Sequence, residues 1–176
     1  MSLLGKETLW CLVNSSEEER FIDDIDFARR CLLHRNIQSD QIVLFLDYPD
    51  ARDYFQAAAS SLDQKHGKVH IHSTADFASS LKDFKGYKTA VVVATGHGDP
   101  RGITAPEPLT PGQLLHGLRA LPDIEHAALV LGQCYAGTFE HLFSQPPKHC
   151  ILGASRLHMS LSDVIKPGDQ FPDLPY

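Results

Sequence analysis

The sequence lacks the features that mark several large classes of protein. No apolar run approaches the roughly 18 residues that a transmembrane helix needs, and the first residues do not have the basic and then apolar pattern of a secretion signal. Acidic residues outnumber basic ones by 22 to 16, which gives a net charge of −6. We therefore expect no membrane and no nucleic acid among the partners of this protein.

Cysteines are few, and no two have the Cys-x-x-Cys spacing of a redox or zinc motif. The four lie at Cys11, Cys31, Cys134 and Cys150. Cys11 and Cys150 stand in apolar runs of strand length and Cys31 on a helical face, so we expect reduced, buried thiols rather than disulfides. This pattern favours a cytoplasmic location.

Metal ligands are equally sparse. His70 and His72 fall on one face of a predicted strand, as metal ligands sometimes do, but no third ligand accompanies them at a suitable spacing. No metal and no other cofactor is therefore expected.

What the 176-residue chain does contain is a regular alternation of apolar runs and helical patterns. Runs that are apolar on both faces indicate parallel strands covered by helices on both sides. The predicted fold class is α/β, a three-layer α/β/α sandwich with a mostly parallel sheet, in one domain over 1–165 with an irregular tail over 166–176. Strands are predicted at 9–14, 41–47, 68–73, 88–98, 126–134 and 149–155, and helices at 15–35, 48–64, 75–84, 109–121 and 138–143.

Two of the predicted helices begin with capping signals. Thr110 and Gln113 have capping-box spacing around a first-turn proline, and Ser16 and Glu19 have the same spacing. The acidic run at 17–19 is interpreted as a helix start that interacts favourably with the helix dipole, with no further function.

Two strand ends carry the candidate chemistry. "VVVATGHGDP" leads to His97 and "ALVLGQCYAG" leads to Cys134. A right-handed crossover through the helix at 109–121 brings both residues to the carboxyl edge of the sheet, where reacting groups collect. The N–H groups of Gly98 and Cys134 are the candidate oxyanion hole. Gly137 permits a sharp turn into a helix whose dipole favours a thiolate.

The motifs "TGHGD" and "GQCYAG" resemble those of the caspase-like cysteine peptidases, the group of caspases, metacaspases and legumains. The matching strand–helix pattern runs from residue 9 to about 155. The resemblance implies a caspase-like fold, with Cys134 as nucleophile and His97 as the general acid–base that protonates the leaving amine. The interval from His97 to Cys134 is 37 residues, against roughly 50 in caspases. No carboxylate partner for His97 is evident.

The specificity pocket departs from the family pattern. Gly132 stands where many members of the family carry glutamine, aspartate or glutamate, so the selective charge must come from elsewhere. The segment 154–163 is similar in placement to a pocket wall, and either Arg156 or Asp163 supplies a charge there. The candidate pocket residues are Asp99, Gly132, Gln133, Arg156 and Asp163.

Two functions from different classes fit these observations. The first is a cysteine endopeptidase that cleaves a peptide or protein substrate through a covalent acyl-enzyme. The second is a catalytically idle, caspase-like binding or regulatory module, or a subunit that needs an activating partner, which Gly132 and the short C-terminal part favour. A flavodoxin-like cofactor binder ranks last, because acidic residues rather than a glycine-rich loop follow the first strand.

Simpler interpretations of the single residues stay open beside these functions. Cys134 is alternatively a buried thiol at a strand end. His97 is alternatively a turn residue that bonds a backbone carbonyl. Tyr135 either covers the site or packs into the fold, and Asp99 is most simply a surface loop residue.

Overall fold

A six-stranded parallel sheet forms the centre of the protein. The computed structural model describes residues 3–62, 69–144 and 147–153. The strands are β1 (Thr8–Asn14), β2 (Ile42–Leu46), β3 (His70–His72), β4 (Thr89–Thr95), β5 (Gly98–Asp99), β6 (Gly102–Ile103), β7 (His126–Leu131) and β8 (Lys148–Gly153). In the central sheet the order is β3-β2-β1-β4-β7-β8, and every described pair of neighbouring strands is parallel. A separate antiparallel hairpin contains β5 and β6.

Helices fill the connections between the parallel strands. The α-helices are α1 (Glu19–His34), α2 (Pro49–Leu62), α3 (Phe77–Leu81) and α4 (Pro111–Ala120). Short 3₁₀ helices occupy Ser39–Gln41, Thr74–Asp76 and Ala136–Ser144. The helix predicted at 138–143 is thus a 3₁₀ helix, and the hairpin of β5 and β6 was not predicted. None of the described helices has the length and apolar character that crossing a bilayer requires.

The two faces of the sheet bury two separate apolar clusters. Side chains alternate between the faces along each strand. Leu12 and Leu44 point to the face covered by α1 and α2, where they pack with Ile25 and Phe55. The side chains that point to the opposite face pack with α3 and α4. Their cluster includes Cys11, Val13, Phe77, Leu81, Leu114 and Leu118. The predicted three-layer α/β/α sandwich is confirmed.

Register aligns the carboxyl ends of three neighbouring strands. Asn14 pairs with Thr95 at the ends of β1 and β4. Ala94 pairs with Leu131, and the Gly132 N–H donates to the Ala94 carbonyl at 2.9 Å, which extends the β4–β7 pairing by one residue. The chain therefore leaves β1, β4 and β7 at nearly the same level of the sheet.

Two expectations about local structure were wrong. The N-cap of α1 is Glu18, whose side chain makes no capping bond, and the predicted box between Ser16 and Glu19 does not form. The box predicted at the start of α4 is confirmed, since the Gln113 N–H donates to Thr110 Oγ1 at 3.3 Å. Of the cysteines expected to be buried, Cys31 and Cys150 are exposed, because they fall on solvent-facing positions of α1 and of the edge strand β8.

Candidate active site

Three neighbouring strands deliver ionisable side chains to one edge of the sheet. Glu18 follows β1, His97 follows β4 and Cys134 follows β7. The prediction that the strands before His97 and Cys134 are parallel neighbours is confirmed. Because carboxyl ends of adjacent parallel strands open onto one crevice, this edge is where a site is expected.

The loops that carry His97 and Cys134 touch each other at Gly98. A Cβ atom on Gly98 would lie 2.1 Å from the carbonyl oxygen of Cys134 and 2.7 Å from Cγ of Gln133. No side chain fits in that space, so the close approach of the two loops requires glycine. The side chain of His97 is 54% exposed and Cys134 is partly exposed. Both residues are therefore accessible at this edge.

The His97 loop also packs against the end of β1. Gly96 has φ = +124°, and a Cβ there would lie 2.6 Å from Oγ of Ser15. The Thr104 N–H donates to the His97 carbonyl at 2.9 Å, which ties the same loop to the β5–β6 hairpin. The backbone of His97 is thus held by its neighbours on either side.

A carboxylate contacts the imidazole, contrary to the sequence-based expectation that none was evident. His97 Nε2 and Glu18 Oε1 form a hydrogen bond. This contact lowers the pKa of the Glu18 carboxyl, and Arg20 adds to the effect. The acidic run after β1, which was assigned only to a helix start, was the available sequence signal. Spacing along the chain did not identify Glu18, because 79 positions separate it from His97.

The contact with Glu18 belongs to a closed set of four side chains. Glu18 Oε2 accepts from Arg20 Nε at 2.9 Å. The Arg20 guanidinium lies 4.4 Å from the centre of the Phe21 ring. The edge-to-face pair of Phe21 and His97 has ring centres 5.4 Å apart. Two sides of the imidazole therefore have a fixed neighbour.

The chain turns sharply just after Cys134, but not at the residue expected. Tyr135 has φ = +56°, a left-handed conformation that is unusual for a bulky side chain. Its carbonyl accepts from the N–H and Oγ1 of Thr138, each at 2.9 Å. The turn predicted at Gly137 is made at Tyr135 instead. The segment that follows is the 3₁₀ helix Ala136–Ser144, not an α-helix.

The hairpin next to His97 presents an ion pair. Arg101 donates to Asp99 through its backbone N–H at 2.7 Å and through Nη2 at 2.6 Å. The same contacts lower the pKa of the Asp99 carboxyl. Asp99 thus lies beside the candidate site with its charge already paired, whereas Arg156 and Asp163 lie outside the described residues.

The two candidate pocket residues just before Cys134 differ in their exposure to solvent. Gly132 is exposed, while Gln133 is 1% exposed and faces the interior. Neither amide atom of Gln133 has a hydrogen-bond partner among the described residues, and the same holds for Asn14 Nδ2 and Ser15 Oγ. Unsatisfied buried polar atoms are rare in folded proteins, and a functional role is one explanation for them.

The histidine pair lies on β3, the outermost strand on the side of the sheet away from β7 and β8. His70 and His72 border a cavity of about 460 Å³ together with Phe84 and Tyr87. Burial lowers the pKa of His72. Within residues 3–62, 69–144 and 147–153, no three histidine, cysteine or carboxylate side chains are grouped to hold a metal ion.

No protein-family model and no curated protein sequence matches this chain. What the protein can do chemically therefore has to be inferred from the residues at the carboxyl ends of the strands and from their geometry.

Proposed function

We propose that the protein is a cysteine-dependent hydrolase of peptide bonds, with Cys134 as nucleophile and His97 as general acid–base. The observation that carries the proposal is the packing at Gly98, which joins the two loops that bear these residues at an exposed strand edge. A thiol and an imidazole on neighbouring loops are the two groups that nucleophilic catalysis by cysteine needs. The reducing cytoplasm suits an enzyme with a catalytic thiol.

The reaction begins when His97 takes the proton of Cys134. The thiolate sulfur attacks the peptide carbonyl, a C–S bond forms, and the carbonyl oxygen becomes an oxyanion. The C–N bond then breaks, and the leaving nitrogen takes the proton from His97. Water reverses these roles at the thioester: it gives a proton to His97 while its oxygen forms a C–O bond with the carbonyl carbon. The C–S bond then breaks, the sulfur takes the proton back from His97, and the carboxylic acid leaves.

The oxyanion needs hydrogen-bond donors close to Cys134, and the N–H groups of Gly98 and Cys134 remain our candidates. The Thr104 N–H bonds the His97 carbonyl, so the next pair in the hairpin, Gly98 with Ile103, is a non-hydrogen-bonded pair. The Gly98 N–H consequently points away from β6 and is available to a substrate.

Substrate selection stays a prediction. Asp99 is neutralised by Arg101, which is 68% exposed beside the site. Gln133 is buried and lies behind the loops rather than at the surface. Since Asp99 and Arg101 neutralise each other, the candidates for the selective charge remain Arg156 and Asp163, which lie outside the described residues.

The test is cleavage of fluorogenic peptides that vary at the residue before the scissile bond. Wild-type protein is expected to hydrolyse some members of the set, and Cys134→Ala and His97→Ala to lose that activity by at least about 1000-fold. Cys150→Ala removes an exposed thiol on β8 and is the matched control, which should retain full activity. Equal cleavage by wild type and Cys134→Ala would exclude the proposal.

The alternative is an idle caspase-like module or a subunit that awaits an activating partner, and it predicts that the thiol of Cys134 is not activated. An activated Cys134 reacts with iodoacetamide faster than the exposed Cys31 and Cys150 of the same molecule. Cys11 is the internal negative control, because burial raises its pKa to about 12. Labelling of Cys134 no faster than of Cys31, together with no cleavage, would favour the idle module.

A further inference from the structure

We infer that Glu18 is the positioning residue of His97, and that the side chains of Arg20 and Phe21 complete a clamp around the imidazole. The inference rests on the proposed function, since it assigns a third member to the same site. Its basis is the bond between Glu18 Oε1 and His97 Nε2. With Nε2 committed to the carboxylate, Nδ1 is the ring nitrogen that exchanges protons with Cys134 and the leaving group.

The backbone on both sides of Glu18 is fixed. The Ser16 N–H donates to Asn14 Oδ1 at 2.8 Å, and the Glu18 N–H donates to Ser16 Oγ at 3.2 Å. The Glu18 carbonyl accepts from the Phe21 N–H at 3.0 Å, which opens α1. Glu18 therefore occupies a defined corner between β1 and α1, unlike a residue on the exposed face of a helix.

The contacts among the side chains close on themselves. Glu18 binds His97 through one oxygen and Arg20 through the other. Arg20 lies over Phe21, and Phe21 is only 8% exposed and meets the imidazole at its edge. Because Phe21 is anchored in the interior, the ring of His97 cannot rotate without breaking two of these contacts.

The solvent exposure of Glu18 and His97 sets the loss of kcat expected when Glu18 is replaced. The Glu18 side chain is 42% exposed and that of His97 is 54% exposed. Water screens a pair this open, so its Coulombic energy is small. We therefore expect Glu18 to contribute mainly orientation, with a loss in kcat of about 10-fold for Glu18→Gln and about 100-fold for Glu18→Ala.

The first experiment compares Glu18→Gln with Glu17→Gln. Both remove one negative charge from neighbouring exposed positions, but the carboxylate of Glu17 does not contact His97. Glu18→Gln should lower kcat with little change in KM, and Glu17→Gln should leave both at the wild-type value. Phe21→Leu, which removes the ring edge, should fall between them. Equal kcat values for the two glutamine variants would overturn the inference.

A second readout does not need a substrate. The rate of iodoacetamide labelling at Cys134 is expected to fall several-fold in Glu18→Gln, since His97 loses the carboxylate that orients it to take the thiol proton. Fast labelling in the wild type with identical rates in both glutamine variants would overturn the role of Glu18 alone. Slow labelling in the wild type would instead overturn the proposed function.

Carboxyl titration by NMR checks the contact itself. The hydrogen bond from His97 lowers the pKa of Glu18, so His97→Ala should raise that pKa towards its ordinary value. Arg20 is the other charged group that faces Glu18, and Arg20→Ala should raise the pKa by a smaller amount. A Glu18 pKa that does not change in His97→Ala would show that the pair does not form in solution.

Discussion

A buried glutamine lies at each end of the parallel strands, at the amino edge and at the carboxyl edge of the sheet, and the two differ in their hydrogen bonding. At the amino edge, Gln41 is 5% exposed, and its Nε2 donates to the carbonyls of Gly5 and Thr8 at 3.1 and 3.0 Å. At the carboxyl edge, Gln133 is 1% exposed and has no partner for either amide atom among the described residues. Burying an amide without partners is costly, so Gln133 is expected to lower stability where the bonded Gln41 contributes to it.

Backbone conformation shows the same difference. The left-handed residue near the amino edge is Asn36, which follows α1 at φ = +62° in a Schellman-type end, with the Ile37 N–H donating to the Leu32 carbonyl at 3.1 Å. At the carboxyl edge the left-handed residue is Tyr135. Asparagine tolerates this conformation and tyrosine does not.

This contrast supports the proposed site at the carboxyl ends of the strands without reference to any motif. Natural proteins violate local rules chiefly where function requires it. Here the unpartnered amide and the left-handed tyrosine flank Cys134 on both sides. The following variants test whether the proposed site requires the unsatisfied amide of Gln133 and the left-handed conformation of Tyr135.

Gly98→Ala should have the largest effect. Its Cβ would meet the backbone oxygen of Cys134, which cannot move without shifting the proposed nucleophile. We expect kcat/KM, or the rate of Cys134 labelling, to fall by about 100-fold and the free energy of unfolding to fall by about 3 kcal/mol.

Gly117→Ala is the matched control for overpacking. Its Cβ would lie 2.4 Å from Cδ1 of Phe77, between α3 and α4. This variant should lose stability while its folded molecules keep wild-type kinetics. If Gly117→Ala lost activity as completely as Gly98→Ala, the special role of the Gly98 contact would be wrong.

The two glutamines allow the same substitution at both edges. Gln133→Met keeps the shape of the side chain and removes two unpartnered atoms, so it should stabilise the protein by about 1 kcal/mol. Gln41→Met breaks formed hydrogen bonds and should destabilise it by about 2 kcal/mol. Urea unfolding measures both. A loss of stability in Gln133→Met would show that its amide is bonded in solution and would break the contrast.

The left-handed residues give the smallest expected change. Tyr135→Asn should raise the free energy of unfolding by about 1 kcal/mol, and Asn36→Tyr should lower it by a similar amount. Thermal unfolding of the two variants checks the signs. If Tyr135→Asn also lowered Cys134 reactivity, the strained turn would be needed to aim the thiol; unchanged reactivity would assign the strain to packing.

Local patterns were enough for most of the fold. Continuous apolar runs such as the three valines of β4 identify buried parallel strands, because only a strand covered on both faces is apolar at every position. The capping box at Thr110 was predictable because its hydrogen bonds join residues three apart. The 3₁₀ helix at Ala136–Ser144 was not, since its spacing differs little from that of an α-helix.

The candidate site was predictable only in part. The glycines around His97 and the small residues after Cys134 mark two strand ends at which a side chain is presented. Whether those ends touch depends on strand order, and strand order is set by packing across the whole sheet. Glu18 was missed for this reason: β1 lies beside β4, although β2 and β3 come between them in the chain.

By itself, then, the sequence determined the class of fold and the strands that lead to His97 and Cys134, and it suggested the thiol–imidazole chemistry that we propose. Periodicity and short-range hydrogen bonding carry that information, and both are local. Only the tertiary structure decided that the Glu18 carboxylate binds the imidazole, that the two loops pack together at Gly98, and that buried Gln133 has no partner among the described residues. Those outcomes depend on which strands become neighbours, and that is a property of the packed molecule.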